Sequence, residues 1–116
     1  MRHRKAKVTL DRKTGPRQAL LKSLTEALVL YEKIETTAAK AKAVKPIFEK
    51  VINIGKANDL AARRRLKQYL YTDNAVKKVL EKLAPKYKTR IGGYVRLMHM
   101  MPRRGDGAKQ IKMELV

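Results

Sequence analysis

The residues with the clearest chemical potential in this sequence are its arginines and lysines, which occur in clusters with few neighbouring acids. The clusters are Met1–Arg17, Arg63–Arg65, the alternating residues Lys86, Lys88 and Arg90, and the pair Arg103–Arg104. A guanidinium can hold a phosphate through two parallel hydrogen bonds or stack on an exposed base, whereas an ammonium neutralises a phosphate as a point charge. The clusters therefore predict contacts with a nucleic-acid backbone.

Residues that could support catalysis or hold a metal are few and scattered. The two histidines, His3 and His99, form no ligand pair of metal-binding spacing, and there is no cysteine. The acids form no paired cluster, and the glycines form no phosphate-binding loop. We therefore expect a protein that is not an enzyme and that takes no metal, cofactor or small-molecule substrate. The lack of cysteine also favours a reducing compartment such as the cytoplasm.

The charge balance points to an anionic partner. The 116 residues include 29 Lys and Arg against 10 Asp and Glu, which gives a net charge of +19, while 44% of the residues are hydrophobic. This composition suits one domain with a modest core. No apolar run approaches the roughly 18 residues that a membrane span needs, and no secretory signal precedes the basic segment. We expect no membrane association.

Hydrophobic periodicity divides the chain into an arm and a body. Residues 1–13 have few large apolar side chains and are predicted to form a basic RNA-binding arm, whereas residues 14–116 are predicted to form a single globular domain. Apolar residues at helical spacing predict four helices. These run from Pro16 to about Glu32, from Ala38 after a Thr37 cap, from a cap at Asn58–Asp59, and from a cap at Asp73–Asn74 to a stop at Pro85. Pro46 should kink or split the second helix.

The periodicity changes from 3.6 to 2 after Arg90, which predicts strands at the end of the chain. Tyr94–Met101 and Ile111–Leu115 alternate in polarity, and a loop with the proline, glycines and aspartate of a hairpin joins them. A short extended segment near residues 34–36 could add a third strand. The predicted fold class is therefore α+β, with about four helices packed on a small sheet.

The distribution of the basic clusters favours folded RNA as the partner. They lie on an arm, on helices and on a loop, which suits an irregular surface better than one groove of duplex DNA. Tyr87 and Tyr94 flank part of a basic cluster and could stack on bases; it is about as plausible that Tyr94 packs under the sheet with its hydroxyl outward. A basic DNA-compacting protein remains the alternative.

Short strings in a fixed order carry a family resemblance. They are Met1-Arg2-His3-Arg4-Lys5, Arg17-Gln18-Ala19, Ile34-Glu35-Thr36-Thr37, Lys40-Ala41-Lys42, Arg63-Arg64, Gly92-Gly93-Tyr94, Arg103-Arg104-Gly105-Asp106-Gly107-Ala108 and Glu114-Leu115-Val116. Together they span the chain, which resembles the bacterial large-subunit ribosomal protein seventeen family. The resemblance implies an α+β fold with an N-terminal extension and binding to the large ribosomal RNA. It also implies a place on the solvent side of the large subunit, near the polypeptide exit region.

The expected function is a structural constituent of the large ribosomal subunit in the cytoplasm, present in one copy beside neighbouring ribosomal proteins. It would bind and stabilise large-subunit rRNA by neutralising phosphates. The residues predicted to contact RNA are Arg2, His3, Arg4, Lys5, Lys7, Arg12, Lys13, Arg17, Lys40, Arg63, Arg64, Arg90, Arg96, Arg103 and Arg104. The first five would thread into RNA, Arg12, Arg17 and Lys40 would support the exit of the arm, and the arginines from Arg63 onward would hold phosphates from the body.

Overall fold

The helices account for most of the chain. The computed structural model describes residue 10 and residues 12–116. Helix α1 spans Thr14–Tyr31, α2 spans Ala38–Lys56 and α3 spans Leu60–Tyr69. Helix α4 begins as an α-helix at Asp73–Lys78, passes through a π-helical turn at Val79–Leu83 and ends in an α-helical turn at Ala84–Lys86. The boundary between arm and body stays a prediction, because residues 1–9 and 11 lie outside the described part.

Three strands form an antiparallel sheet in the order β1-β3-β2, which confirms the α+β prediction. Strand β1 spans Lys33–Thr37, β2 spans Val95–His99 and β3 spans Gln110–Leu115. The alternation in β3 buries Ile111, Met113 and Leu115 on one face. Because directly paired residues share a face, Ile34 opposite Met113 extends this apolar surface into β1. The third strand near residues 34–36 is thus confirmed.

The core lies between the apolar face of the sheet and the helices. Helix α2 contacts all three strands and buries Val44, Phe48, Val51 and Ile52 completely. Leu28 of α1 is buried in the same core. This packing explains why the predicted split at Pro46 is wrong: α2 continues from Ala38 to Lys56 as one helix, and the alternative, a kink, stays a prediction. Pro46 is exposed, so a backbone carbonyl left without its helical partner there can bind water.

Of the three predicted helix caps, one is confirmed and two are wrong. Asp59 caps α3 as predicted, accepting from Ala62 N at 2.7 Å. Thr37 stands at the start of α2 but forms no side-chain cap. The cap of α4 is Thr72, not Asp73–Asn74, and its hydroxyl accepts from Ala75 N at 3.3 Å.

Pro85 was predicted to stop α4, yet the helix ends one residue later, at Lys86. In the π-turn the N–H of Ala84 donates to the carbonyl of Val79, five residues earlier. This wider turn comes directly before the proline, which has no N–H to donate. The last helical turn therefore forms despite Pro85.

The sheet has two ends that carry different basic residues. At the loop end, defined by Thr37, His99 and Gln110, β1 and β2 finish and β3 begins. At the terminus end, defined by Lys33, Val95 and Leu115, the chain enters β1 and β2 and leaves β3. In the described residues, no helix is long and apolar enough to cross a membrane.

Candidate nucleic-acid interface

The hairpin loop at the loop end carries Arg103 and Arg104. Two backbone hydrogen bonds close its tip: Arg103 N donates to Ala108 O at 2.9 Å, and Gly107 N donates to Arg103 O at 3.0 Å. The Arg103 guanidinium also forms a two-point ion pair with Asp106, donating from Nε to Oδ1 at 3.1 Å and from Nη2 to Oδ2. Arg104 is exposed and forms no side-chain bond within the described residues. The two adjacent arginines thus have different environments.

The pairing changes the ionisation of both partners. The hydrogen bonds from Arg103, followed by that from the Ala108 N–H, lower the pKa of Asp106 to about 2. The same carboxylate raises the pKa of Arg103 above its usual value. Both groups therefore remain charged across the physiological pH range.

Lys40 approaches the loop end from the helical side. It lies in the first turn of α2 and is partly exposed. The start of this helix is fixed to the hairpin, since Ala38 N donates to Lys109 O at 3.0 Å. The fold therefore brings Lys40 and the hairpin loop to one end of the molecule, although more than 60 residues separate them in sequence.

Arg90 lies at the terminus end, in the loop that leads into β2. Its Nε donates to Gly92 O at 3.1 Å, which bends the side chain back over its own loop. The ammonium of Lys56 donates to the carbonyl of Arg90 and to the hydroxyl of Tyr94, the latter at 2.5 Å. The Tyr94 hydroxyl also lies 2.7 Å from Asn53 Oδ1. Helix α2 therefore holds the loop that carries Arg90.

The two tyrosines that could have stacked on bases are parts of the core. Tyr94 is 0% exposed and Tyr87 is 3% exposed, and their ring centroids are 5.1 Å apart. The Tyr87 hydroxyl donates to Val116 O at 2.8 Å. Of the two interpretations of Tyr94, packing is correct; the hydroxyl, however, binds Asn53 and Lys56. Neither ring offers a face to RNA.

Arg96 projects from the face of the sheet opposite the core. It is paired with Glu114 across β2 and β3, with Nη2 and Oε2 3.1 Å apart. The hydrogen bond from Arg96 lowers the pKa of Glu114. Lys33 pairs with Glu114 in register from the other side, and Glu35 pairs with Lys112. Acids and bases alternate on this face, so it attracts phosphate less than the other basic surfaces do.

Arg63 and Arg64 lie on α3, the helix with the highest density of basic residues. Arg64 is exposed, Arg63 is half-buried, and neither side chain forms an ion pair or hydrogen bond with a described residue. The helix is fixed by the Asp59 cap and by the buried residues Ala62 and Leu66. Its buried stripe leaves the arginines toward solvent, where they can meet a phosphate backbone.

The start of α1 holds the last group of predicted residues. Arg12 and Lys13 are exposed, and Arg12 Nη1 donates to Leu10 O at 2.9 Å. Arg17 is only 7% exposed, with Nη1 3.5 Å from Arg12 O. Arg17 therefore offers little surface for a phosphate in this conformation. The predicted contacts at Arg2, His3, Arg4, Lys5 and Lys7 lie outside the described residues.

Local sequence patterns did not indicate which lysines form tertiary contacts. Lys56 belongs to none of the basic clusters, but it binds the Arg90 loop. Lys22 also lies outside those clusters, and its ammonium is 4.4 Å from the ring centroid of Tyr71. Lys78 donates to Leu30 O at 2.8 Å, near the C-terminus of α1. The partners are 34 to 49 positions away, so no local pattern signals these pairs.

Comparison with known proteins identifies the family. The model of the family described as Ribosomal protein L17 matches residues 20–116. The chain belongs to this family. The resemblance drawn from the sequence strings is thereby confirmed.

Several curated relatives of the L17 family are similar over most of their length. "Large ribosomal subunit protein bL17" of Desulfitobacterium hafniense (strain DSM 10664 / DCB-2) is 47% identical over 107 residues, covering 92% of this chain and 96% of the relative. The protein of the same name from Natranaerobius thermophilus is 48% identical, covering 92% and 95%. That from Acidobacterium capsulatum is 42% identical over 116 residues, covering 100% of this chain and 72% of the relative.

The L17 family match includes most basic residues of the body. Residues 20–116 contain Lys40, Arg63, Arg64, Arg90 and the hairpin loop. Among residues 10 and 12–116, no group of three or more histidines and acids could hold a metal ion. For binding an anion, the described surface offers separated cations and the hydrogen bonds that orient them.

Proposed function

We propose that the protein is a structural constituent of the large ribosomal subunit, which acts in translation by binding and stabilising large-subunit rRNA. The observation that carries this proposal is the similarity, over 92% or more of the chain, to curated proteins named large ribosomal subunit protein bL17. The net charge of +19 supports a polyanionic partner. The cytoplasmic ribosome would be its location, with one copy beside neighbouring ribosomal proteins.

The mechanism we propose is phosphate neutralisation from several sides. Arg63 and Arg64 lie on α3, Arg104 lies at the loop end of the sheet, and Arg90 lies at the terminus end. Cations on opposite ends of a rigid body can bridge RNA segments that are distant in sequence, and each contact releases counterions from the RNA. The predicted arm, residues 1–13, would add contacts from Arg2, His3, Arg4, Lys5 and Lys7.

The environments of the basic residues rank them as phosphate ligands. Arg64 and Arg104 are exposed and form no side-chain bonds within the described residues. Arg96 is shared with Glu114, and Arg103 is shared with Asp106. A phosphate that takes either paired arginine must compete with a carboxylate. We therefore expect Arg63, Arg64 and Arg104 to contribute more than Arg96 and Arg103.

The experiment that tests this function is a binding titration against a transcript of large-subunit rRNA over a range of salt. We expect the logarithm of the affinity to fall linearly with the logarithm of salt, with a slope of about 0.7–0.9 per phosphate contact. A slope near zero would refute phosphate neutralisation. Sheared duplex DNA serves as the competitor, and preference for it would favour the DNA-compacting alternative.

Matched variants sharpen the titration. Arg63→Gln with Arg64→Gln removes two cations from α3 and should reduce the salt slope by about 1.4–1.8. The control, Lys77→Gln with Lys82→Gln, removes two exposed lysines from α4 and keeps the same net charge as the test variant. Equal losses in both variants would show that only total charge matters. Co-sedimentation of the unaltered protein with large subunits tests assembly directly.

A further inference from the structure

The hairpin loop receives no support from the core. It runs from Met100 to Lys109 between β2 and β3, and the side chains of residues 100–107 are exposed. Gly105 and Gly107 have positive φ values of 100° and 66°, and no atom lies within 4 Å of a Cβ built at either glycine. Residues 100–107 therefore gain little from packing, and apart from the bond from Ala38 N to Lys109 O the conformation of the loop depends on its own hydrogen bonds.

Apart from the bond from Met100 N to Gln110 O at 3.0 Å, the hydrogen bonds of the loop converge on Arg103 and Asp106. Arg103 is linked to the part of the loop that leads into β3 by its N–H, which donates to Ala108 O, and by its carbonyl, which accepts from Gly107 N. Its guanidinium donates to both carboxylate oxygens of Asp106. Asp106 Oδ1 accepts in addition from Ala108 N at 3.1 Å. One arginine and one aspartate thus close the loop through side chain and backbone together.

We propose that Arg103 and Asp106 form a clasp that fixes this loop, so that Asp106 is a positioning residue for RNA binding and Arg104 is the loop arginine that meets a phosphate. The inference rests on the proposed function and assigns roles within it. An acid in an RNA-binding loop should weaken binding by repelling phosphate. Asp106 instead promotes binding, because it holds the loop in the form that directs Arg104 outward.

The roles of the two arginines follow from their geometry. Nε and Nη2 of Arg103 already face a carboxylate, so the arginine edge best suited to a two-point phosphate contact is occupied. Arg104 lies between the two residues of the clasp, and its guanidinium forms no ion pair with a described acid. Fixing the backbone on both sides of Arg104 reduces the conformational freedom that binding must remove.

The decisive variant is Asp106→Asn, assayed by rRNA binding at fixed salt and across a salt series. Charge alone predicts tighter binding, because the net charge rises by one. The clasp predicts weaker binding by about two- to fivefold, the range set by an exposed ion pair. The salt slope should not fall, since no phosphate contact is removed. Arg104→Gln should instead lower the slope by about 0.7–0.9.

Two further variants separate position from charge. Asp73→Asn removes another exposed acid, outside the loop, and should bind as tightly as the unaltered protein or slightly more tightly. Arg103→Lys keeps the cation but cannot form the two-point pair, so it should weaken binding as Asp106→Asn does. Tighter or unchanged binding by Asp106→Asn, or full binding by Arg103→Lys, would overturn the clasp.

Amide hydrogen exchange without RNA distinguishes failure of the clasp from failure of the proposed function. In the unaltered protein the amides of Gly107 and Ala108 should be protected, and Asp106→Asn should accelerate their exchange while leaving that of β3 unchanged. If the unaltered protein does not bind rRNA at all, the proposed function fails, yet the exchange data still report whether the clasp exists. Equal exchange in both proteins would refute it.

Discussion

Replacing Tyr94 with phenylalanine removes one atom that joins three segments of the molecule. The hydroxyl lies 2.7 Å from Asn53 Oδ1, 3.1 Å from the carbonyl oxygens of Arg90 and Ile91, and 2.5 Å from Lys56 Nζ. It has one proton, so it donates to one of the three oxygens at a time while it accepts from the ammonium. Phenylalanine fills the same buried space, so the change tests the hydroxyl without creating a cavity.

The expected loss is set by what each former partner can do afterwards. A hydrogen bond contributes a net 0.5–1.5 kcal/mol on average, and one that involves a charged group contributes roughly 1.5–3 kcal/mol. Lys56 keeps the carbonyl of Arg90, and Asn53 is exposed, so water can replace part of what is lost. We therefore expect Tyr94→Phe to lower the free energy of unfolding by about 1–2 kcal/mol. The midpoint of thermal unfolding should fall by roughly 4–8 °C.

Urea denaturation measures this loss, and two other tyrosines provide controls. Tyr87→Phe removes one hydrogen bond of 2.8 Å to Val116 O, whereas Tyr71→Phe removes an exposed one of 3.4 Å to Ala19 O. The losses should rank Tyr94, then Tyr87, then Tyr71, with the slope against urea unchanged. Amide exchange of residues 91–93 should accelerate only in Tyr94→Phe. A loss no greater than that of Tyr71→Phe would refute the role given to this hydroxyl.

Three further predictions concern packing, a tertiary joint and pH. Gly55→Ala places a Cβ 2.7 Å from Cγ1 of Val79, and overpacking of roughly 1–3 kcal/mol should outweigh the helix-propensity gain of about 1 kcal/mol; a variant more stable to urea would contradict this. The Glu26 carboxylate accepts from two backbone N–H groups and a hydroxyl of the turn between α3 and α4, so Glu26→Ala should destabilise by about 1–2 kcal/mol and Glu26→Gln by less. The pKa of Asp106 is lowered to about 2. The stability that the Asp106 carboxylate gives to the loop is therefore complete above an unfolded pKa of about 3.9 and is lost as pH falls toward 2. Exchange of the Ala108 amide, corrected for its intrinsic pH dependence, should accelerate across that window.

The elements could be predicted from the sequence because the buried face of each has its own period. Ile111, Met113 and Leu115 alternate along β3, and all three are buried. The helices show the 3–4 spacing that one packed face imposes. Asp59 was recognisable as a cap because its hydrogen bond to Ala62 N spans three residues. Where the interaction that fixes an element is local, the element can therefore be predicted from the sequence.

The errors occur where a distant interaction decides the structure. Pro46 disfavours a helix locally, but its helix is held by residues packed on the sheet and on α1. Thr37 has a suitable side chain for a cap but forms none; the start of α2 is held by the N–H of Ala38, which donates to Lys109 O of the hairpin. Lys56 has no local partner at all and binds a loop 34 residues away. These contacts exist only after the chain has folded, so residue type and spacing could not indicate them.

The candidate site also contains both local pairs, which the sequence could indicate, and distant pairs, which it could not. This distinction affects how many phosphate contacts should be expected. The i,i+3 spacing of Arg103 and Asp106 could have indicated the clasp, since the glycines between and after the pair favour a turn. The pair of Arg96 and Glu114 depends on strand register, which the sequence did not specify. Clusters of basic residues therefore overstate the number of cations available to phosphate. If RNA displaces neither carboxylate, removing Arg64 should reduce the salt slope by a full contact, whereas removing Arg96 should leave it nearly unchanged.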